Sequence, residues 1–224
     1  QVFAQCFQCK LCEVQCPYTP RDGHEFQLDF PRLVHRYEAQ KRKRQTPPLG
    51  RRLMANPDHA AKWARRSFGM ANAMNRVKLH RWFMEKVLGV HRDKLLPPFA
   101  AKTFDRWAEQ QGHVGKGVGG EAVLFPTCYV QNNEPEIGRD TVDVFEHNSV
   151  DLRCVAGLSC CGMPAWEQGD LDTLRKRAKE NLDTLEPYVD AGAKVVAINP
   201  TCSMLMRREY PELVAAEDKA RATK

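Results

Sequence analysis

The sequence predicts an α+β chain. It has a mainly α-helical N-terminal part around a cysteine cluster, a helical basic middle segment, and a C-terminal α/β part with a parallel sheet. Three observations carry this. Four of the nine cysteines crowd into residues 6–16. Between Arg36 and Trp107, 18 Lys and Arg stand against 5 Asp and Glu, a surplus of +13 in a chain whose net charge is +6. From Glu121 onward, short apolar runs alternate with helix-period stretches, the grammar of βαβ units. A length of 224 residues allows one or two domains and a sizeable core.

In chain order, residues 1–45 hold Cys6, Cys9, Cys12, Cys16 and Pro17, then a helical stretch around Pro31 to Arg44. The spacing C-x2-C-x2-C-x3-C-P is that of bacterial ferredoxins, in which thiolates hold a [4Fe–4S] cluster. Short loops let three sulfurs converge on three iron corners, and the fourth often serves a second cluster. Cys16 therefore stands for either role. Zinc is the competing metal, but zinc modules pair two C-x2-C knuckles across a longer loop.

Residues 46–118 change character. Trp63, Phe68, Met70, Met74, Val77, Leu79, Trp82, Phe83, Val87 and Leu88 interleave with Lys62, Arg65, Arg66, Arg76, Lys78, Arg81 and Lys86. This predicts one or two basic amphipathic helices. A glycine-rich hinge, Gly112 to Gly120, follows.

Residues 119–224 read as an α/β domain with strands at Ala122 to Phe125, Val150 to Val155 and Lys194 to Ile198. Between them lie a helix from Pro135 to His147 and one from Leu171 to Val189, the latter capped by Asp170. A short unit repeats: Leu124 to Cys128 and Ile198 to Cys202 each end a strand in Pro-Thr-Cys ahead of a helix. Proline stops the strand and threonine suits a helix cap. Both thiols should then stand at helix N-termini, where the dipole favours thiolate, on the carboxyl edge of the sheet. Cys160-Cys161-Gly162 lies between the two units, and the glycine lets the backbone turn so that both sulfurs approach one object. Cys128, Cys160, Cys161 and Cys202 together supply four sulfur ligands for a second iron–sulfur centre. Cys154 falls within a strand and is read as a small buried apolar residue. His24, His35, His80 and His91 have no ligand spacing to the cysteines and are read as surface or core residues.

Cys128, Cys160-Cys161-Gly162 and Cys202 resemble the cysteine-rich CCG domain. Such domains occur in heterodisulfide reductase, in the iron–sulfur subunit of glycolate oxidase, and in the C subunit of anaerobic glycerol-3-phosphate dehydrogenase. Phe125-x-x-Cys128-x-Val130 and Arg208-Glu209-Tyr210-Pro211-Glu212 resemble the glycerol-phosphate type in particular. That family carries two ferredoxin motifs and two CCG repeats, against one of each here, so both ends are expected to be cut. Consistent with this, there is no initiator Met, and Glu217 to Lys224 run on without a helix stop. The resemblance implies an oxidoreductase subunit that relays electrons from a flavoprotein dehydrogenase partner to quinone or another acceptor. The alternative is a heterodisulfide or thiol-disulfide reductase subunit; there the last cysteine belongs to a C-x-x-C pair, whose partner position is Leu205 here.

Clustered cysteines, odd in number, point to metal ligation in a reducing compartment. With no secretory signal and no apolar stretch of bilayer length, the expected location is cytoplasmic, or peripheral on the inner face of the cell membrane. The basic segment suits an anionic membrane surface or a partner subunit better than nucleic acid.

Overall fold

A computed structural model describes residues 3–6 and 8–224. The N-terminal part contains α1 (Leu11–Gln15) and α2 (Phe30–Arg44). Asp29 opens α2 by accepting the Arg32 backbone N–H at 2.8 Å, Pro31 occupies its first turn, and four cations, Lys41 to Arg44, meet its carbonyl end.

Residues 49–88 of the basic segment form four short helices rather than one or two. They are α3 (Leu49–Met54), α4 (Pro57–Arg66), α5 (Met70–Met74) and α6 (Lys78–Leu88). Phe68 and Gly69 both take positive φ, 51° and 89°, which breaks the run after α4. Pro57 sets the start of α4, and Gly89 at φ 69° ends α6. Next comes α7 (Phe104–Gln110), capped by Thr103, whose hydroxyl accepts the Arg106 N–H at 3.2 Å.

Three parallel strands follow, β1 (Ala122–Phe125), β2 (Leu152–Cys154) and β3 (Lys194–Ala197), in the spatial order β2-β1-β3. Ala122 pairs with Leu152 on one side and Lys194 on the other. All four β1 residues are buried, as a central strand covered on both faces requires. Val123 and Phe125 face one core, with Trp166, Leu174, Ala178 and Leu205. Ala122 and Leu124 face the other, with Phe104, Ala108, Val142 and Cys154. The period-2 alternation of a strand sorts them so.

The connections are helical. α8 (Thr127–Asn132) and α9 (Pro135–His147) join β1 to β2; α10 (Met163–Glu167) and α11 (Leu171–Asp190) join β2 to β3. Asp170 caps α11 as expected, accepting the Thr173 N–H at 3.3 Å. The expected strand from Val150 is shorter, because the Val150 N–H closes the end of α9 on the Phe145 carbonyl at 3.0 Å. After β3 come α12 (Pro200–Met204), one π-helical turn (Leu205–Glu209), α13 (Tyr210–Leu213) and α14 (Lys219–Ala222).

The glycine-rich stretch is tied to the sheet. Val114 bridges Cys154 in parallel, and the Lys116 carbonyl accepts from Arg153 at 3.2 Å. The N-terminal part is fastened to the C-terminal one where α2 crosses α10. His35 stacks on Trp166 with ring centroids 4.8 Å apart. Gly169, at φ 67°, lies so close that a Cβ there would stand 2.4 Å from the Ala39 backbone nitrogen, so only glycine fits.

Candidate metal centre

Because the strands are parallel, their carboxyl ends share one edge, and each is followed by cysteine. Cys128 lies in α8 after β1, Cys160 and Cys161 in the turn after β2, and Cys202 in α12 after β3. The Cys161 and Cys202 sulfurs are 3.3 Å apart. The thiols of Cys128 and Cys161 both act on the ionisation of Cys160, so the four sulfurs form one connected row. Cys160, Cys161 and Cys202 are buried, and Cys128 is half-buried.

The backbone explains the convergence. Gly162, at φ 97°, turns the chain after the cysteine pair, and a Cβ there would strike Leu174 Cδ1 at 2.7 Å. The expected threonines do not hold the cap positions, which fall to Pro126 and Asn199. Thr127, at the unusual φ of 68°, sets its hydroxyl 3.5 Å from the Val130 N–H. In the second unit Asn199 takes the cap, accepting the Thr201 N–H at 2.8 Å, because it precedes the proline that opens α12.

Ionisation differs along the row. The thiols of Cys128 and Cys161, with further help from the Gly162 N–H and the Arg177 guanidinium, hold the Cys160 thiol low, at about 3, against its burial. Cys128 is pushed up by its hydrogen bond to Cys160 and then by burial. Cys161 is raised by its bonds to Cys160 and Cys202 and then by burial. At Cys128 these effects outweigh the helix end. Close like charges on neighbouring sulfurs oppose a second ionisation.

Polar residues that no sequence motif marks hold this row in place. Asp58 accepts the Cys160 backbone N–H at 3.0 Å. Asn132 donates to the Cys128 carbonyl at 3.0 Å and accepts from Arg65 at 2.7 Å. The fully buried Asn181 accepts the Ser159 N–H at 2.9 Å. The Tyr210 hydroxyl donates to the Cys161 carbonyl at 2.6 Å. The sequence holds one signal for them: Asp58 is the only acidic residue between Glu38 and Glu85, a lone carboxylate in a basic run.

Cys154 pairs with Leu124 in the second core, is 4% exposed, and has its thiol pushed up to about 11 by burial. It stands apart from the row, as expected.

The N-terminal cysteines are arranged differently. Cys6 is half-buried and its sulfur accepts the Gln8 N–H at 3.4 Å; Cys9 and Cys12 are exposed, and Cys16 caps the end of α1. Among the described residues, those of the sulfur row included, no three His, Cys, Asp or Glu side chains surround one point as a single metal ion needs. The loop is nonetheless fixed to the other site. Lys10 pairs with Glu209, which also accepts the Trp166 indole N–H at 3.3 Å, and the Gln8 side chain donates to the Glu167 carbonyl at 3.0 Å. Glu209 and Tyr210 are adjacent, so one short stretch contacts both cysteine groups.

A largely apolar cavity of about 700 Å³ borders the row on its half-buried side. Met54, Trp63, Met70, Met84 and Phe99 line it, and Cys128 forms part of its wall.

Residues 122–207 match the family model described as CCG, cysteine-rich domain. The C subunit of anaerobic glycerol-3-phosphate dehydrogenase from Escherichia coli (strain K12) is 26% identical over 151 residues, 67% of this chain and 38% of that protein. Lactate utilization protein A of Shouchella clausii (strain KSM-K16) is 35% identical over 92 residues, 41% of this chain and 36% of that protein. The aligned part thus spans well under half the length of these curated relatives. No solved structure gives a significant match.

Proposed function

We propose that this chain is an iron–sulfur electron-transfer subunit, starting from its CCG cysteine-rich domain at residues 122–207 and its homology, over part of its length, to the two relatives above. The observation that carries the reading is the row Cys128–Cys160–Cys161–Cys202 at the carboxyl edge of the sheet, fastened through Tyr210 and Glu209 to the loop of Cys6, Cys9, Cys12 and Cys16.

The donor chemistry fits. Four soft sulfurs and no ring nitrogen suit iron–sulfur ligation, and sulfurs strung in a row suit a polynuclear centre better than one tetrahedral ion. Cys6, Cys9 and Cys12, with Cys16 on this or another cluster, would hold a [4Fe–4S] cluster; the row would hold a second centre. Such groups accept and pass on single electrons. The chain's own part is to supply thiolates, to exclude water from three buried sulfurs, and to keep the two sites at a set separation through Glu209 and Trp166.

The partner that supplies electrons would be a flavoprotein dehydrogenase subunit, and the acceptor a quinone or another carrier. The apolar cavity with Cys128 in its wall supports a lipophilic acceptor. A thiol-disulfide reductase would need one more sulfur after Cys202, where Leu205 is fully buried. The test is anaerobic purification of the full chain followed by iron and acid-labile sulfide analysis. Iron with matching sulfide is expected; stoichiometric zinc without sulfide would sink the proposal.

The surface beside the cavity supports peripheral attachment to the inner face of the cell membrane. No described helix is long and apolar enough to cross a bilayer. Phe68 is 99% exposed and Leu79 73%, and Arg66 and Lys78 stand beside them in sequence. Each Lys or Arg at an anionic surface contributes roughly 1 kcal/mol, which salt screens. Flotation with anionic vesicles should therefore show binding at low salt that fades steeply as salt rises. Absence of binding at low salt would leave this face for a protein partner.

A further inference from the structure

Arg177 is 6% exposed on α11. Its Nη2 donates to Asn56 Oδ1 at 2.7 Å, while its Nη1 is buried without a hydrogen-bond partner. Among the described residues it forms no ion pair with a carboxylate. Arginine does not shed its proton in proteins, so the buried charge has to be met by an anion.

The surroundings show which anion. The same face of α11 backs the cysteine turn: Leu174 lies against Gly162, and Asn181 holds Ser159 and reaches the Cys160 carbonyl at 3.5 Å. Arg177 stands between Leu174 and Asn181 on that face of α11. Asp58, two residues beyond Asn56, is engaged elsewhere, with the Cys160 N–H at 3.0 Å and the Asn132 amide at 3.4 Å.

We propose that Arg177 is the resident counter-charge of the thiolate centre formed by Cys128, Cys160, Cys161 and Cys202, and that it sets the reduction potential of that centre. This rests on the electron-transfer reading above. A one-electron reduction adds a single negative charge and makes or breaks no bond. A fixed positive charge in a dry site favours the reduced form, because Coulomb attraction there is weakly screened. Arg177 is thus a positioning and tuning residue, not a ligand.

The experiment is an anaerobic redox titration of the full chain, followed by electron paramagnetic resonance, for the parent, Arg177→Met and Arg177→Lys. With methionine, the reduction equilibrium of the second centre should fall at least tenfold, about 59 mV for one electron, with the N-terminal cluster unmoved. Lysine should restore at least half of that shift. An unshifted potential in an iron-replete Arg177→Met protein overturns the proposal, as does a lysine variant displaced as far as methionine. If Arg177→Met assembles no second centre, Asn56→Ala keeps the charge and removes its hydrogen bond. Assembly in Asn56→Ala and Arg177→Lys alone then supports the counter-charge, whereas failure of all three assigns a packing role and overturns it. A parent chain with no iron beyond the N-terminal cluster would remove the electron-transfer reading and this proposal together; an unshifted potential removes this one alone.

Discussion

Cys202→Ala is expected to empty the proposed second centre and cut electron transfer through the chain by about 100-fold or more, leaving the spectrum of the proposed N-terminal cluster unchanged. Residues that only support a ligand typically cost about 10–100-fold in metal affinity or activity, and Cys202 stands among the proposed ligands themselves. Its sulfur is 3.3 Å from that of Cys161 and only 7% of the residue is exposed, so no water or other side chain can replace it without rearrangement. Iron and sulfide analysis, with reduction of a soluble acceptor dye, reads both effects. Cys154→Ala is the control. It removes a thiol of similar burial from the other side of the sheet and should leave iron content and rate unaltered. A Cys202→Ala protein with full iron and full rate would reduce the CCG domain to a structural platform.

Trp166→Ala should lower the free energy of unfolding by about 3–5 kcal/mol, the usual cost of deleting a large buried aromatic side chain. Trp166 is 2% exposed and sits where three parts of the chain meet. Its ring stacks on His35 of α2, its indole N–H reaches Glu209, and Lys10 lies 5.8 Å from its ring centroid. Denaturant unfolding of the anaerobic protein measures the loss. Trp166→Phe separates the contributions: it keeps most of the packing and loses one hydrogen bond, so it should cost nearer 1 kcal/mol. A loss below about 1 kcal/mol for the alanine variant would mean that the surroundings collapse into the space, against the expected cavity cost. Because Lys10 and Gln8 lean on the same corner, Trp166→Ala should also make the proposed N-terminal cluster more sensitive to oxygen.

Much of the C-terminal part is legible because its signals are local. Proline ends β1 before Cys128, Asp170 opens α11, and the apolar stripe of Leu174, Ala178 and Leu185 sets its buried face. The basic segment is harder. Its interleaved apolar residues carry helical period, but breaks at Phe68-Gly69 depend on backbone conformations that no periodicity count contains. The length of β2 escapes the sequence for a related reason. Val150 has strand character by residue type, yet a hydrogen bond to Phe145 assigns it to the end of α9. The supporting residues are the least legible. Arg177 lies three residues from Leu174, on the apolar stripe, and reads in sequence as one more surface cation of a charged helix.

The chain by itself determines which residues carry sulfur, that the sheet is parallel, and hence that cysteines following its strands share one edge. These follow from local chemistry: side-chain identity, strand-stopping prolines and the short reach of βαβ connections. The tertiary structure alone decides that three of those sulfurs are dry, and that Asp58 reaches Cys160 across 102 positions of sequence. It also decides that Arg177 has no carboxylate partner among the described residues. Burial and charge pairing are properties of what surrounds a group, and that environment is assembled from segments far apart in the chain, whose mutual placement no local pattern encodes.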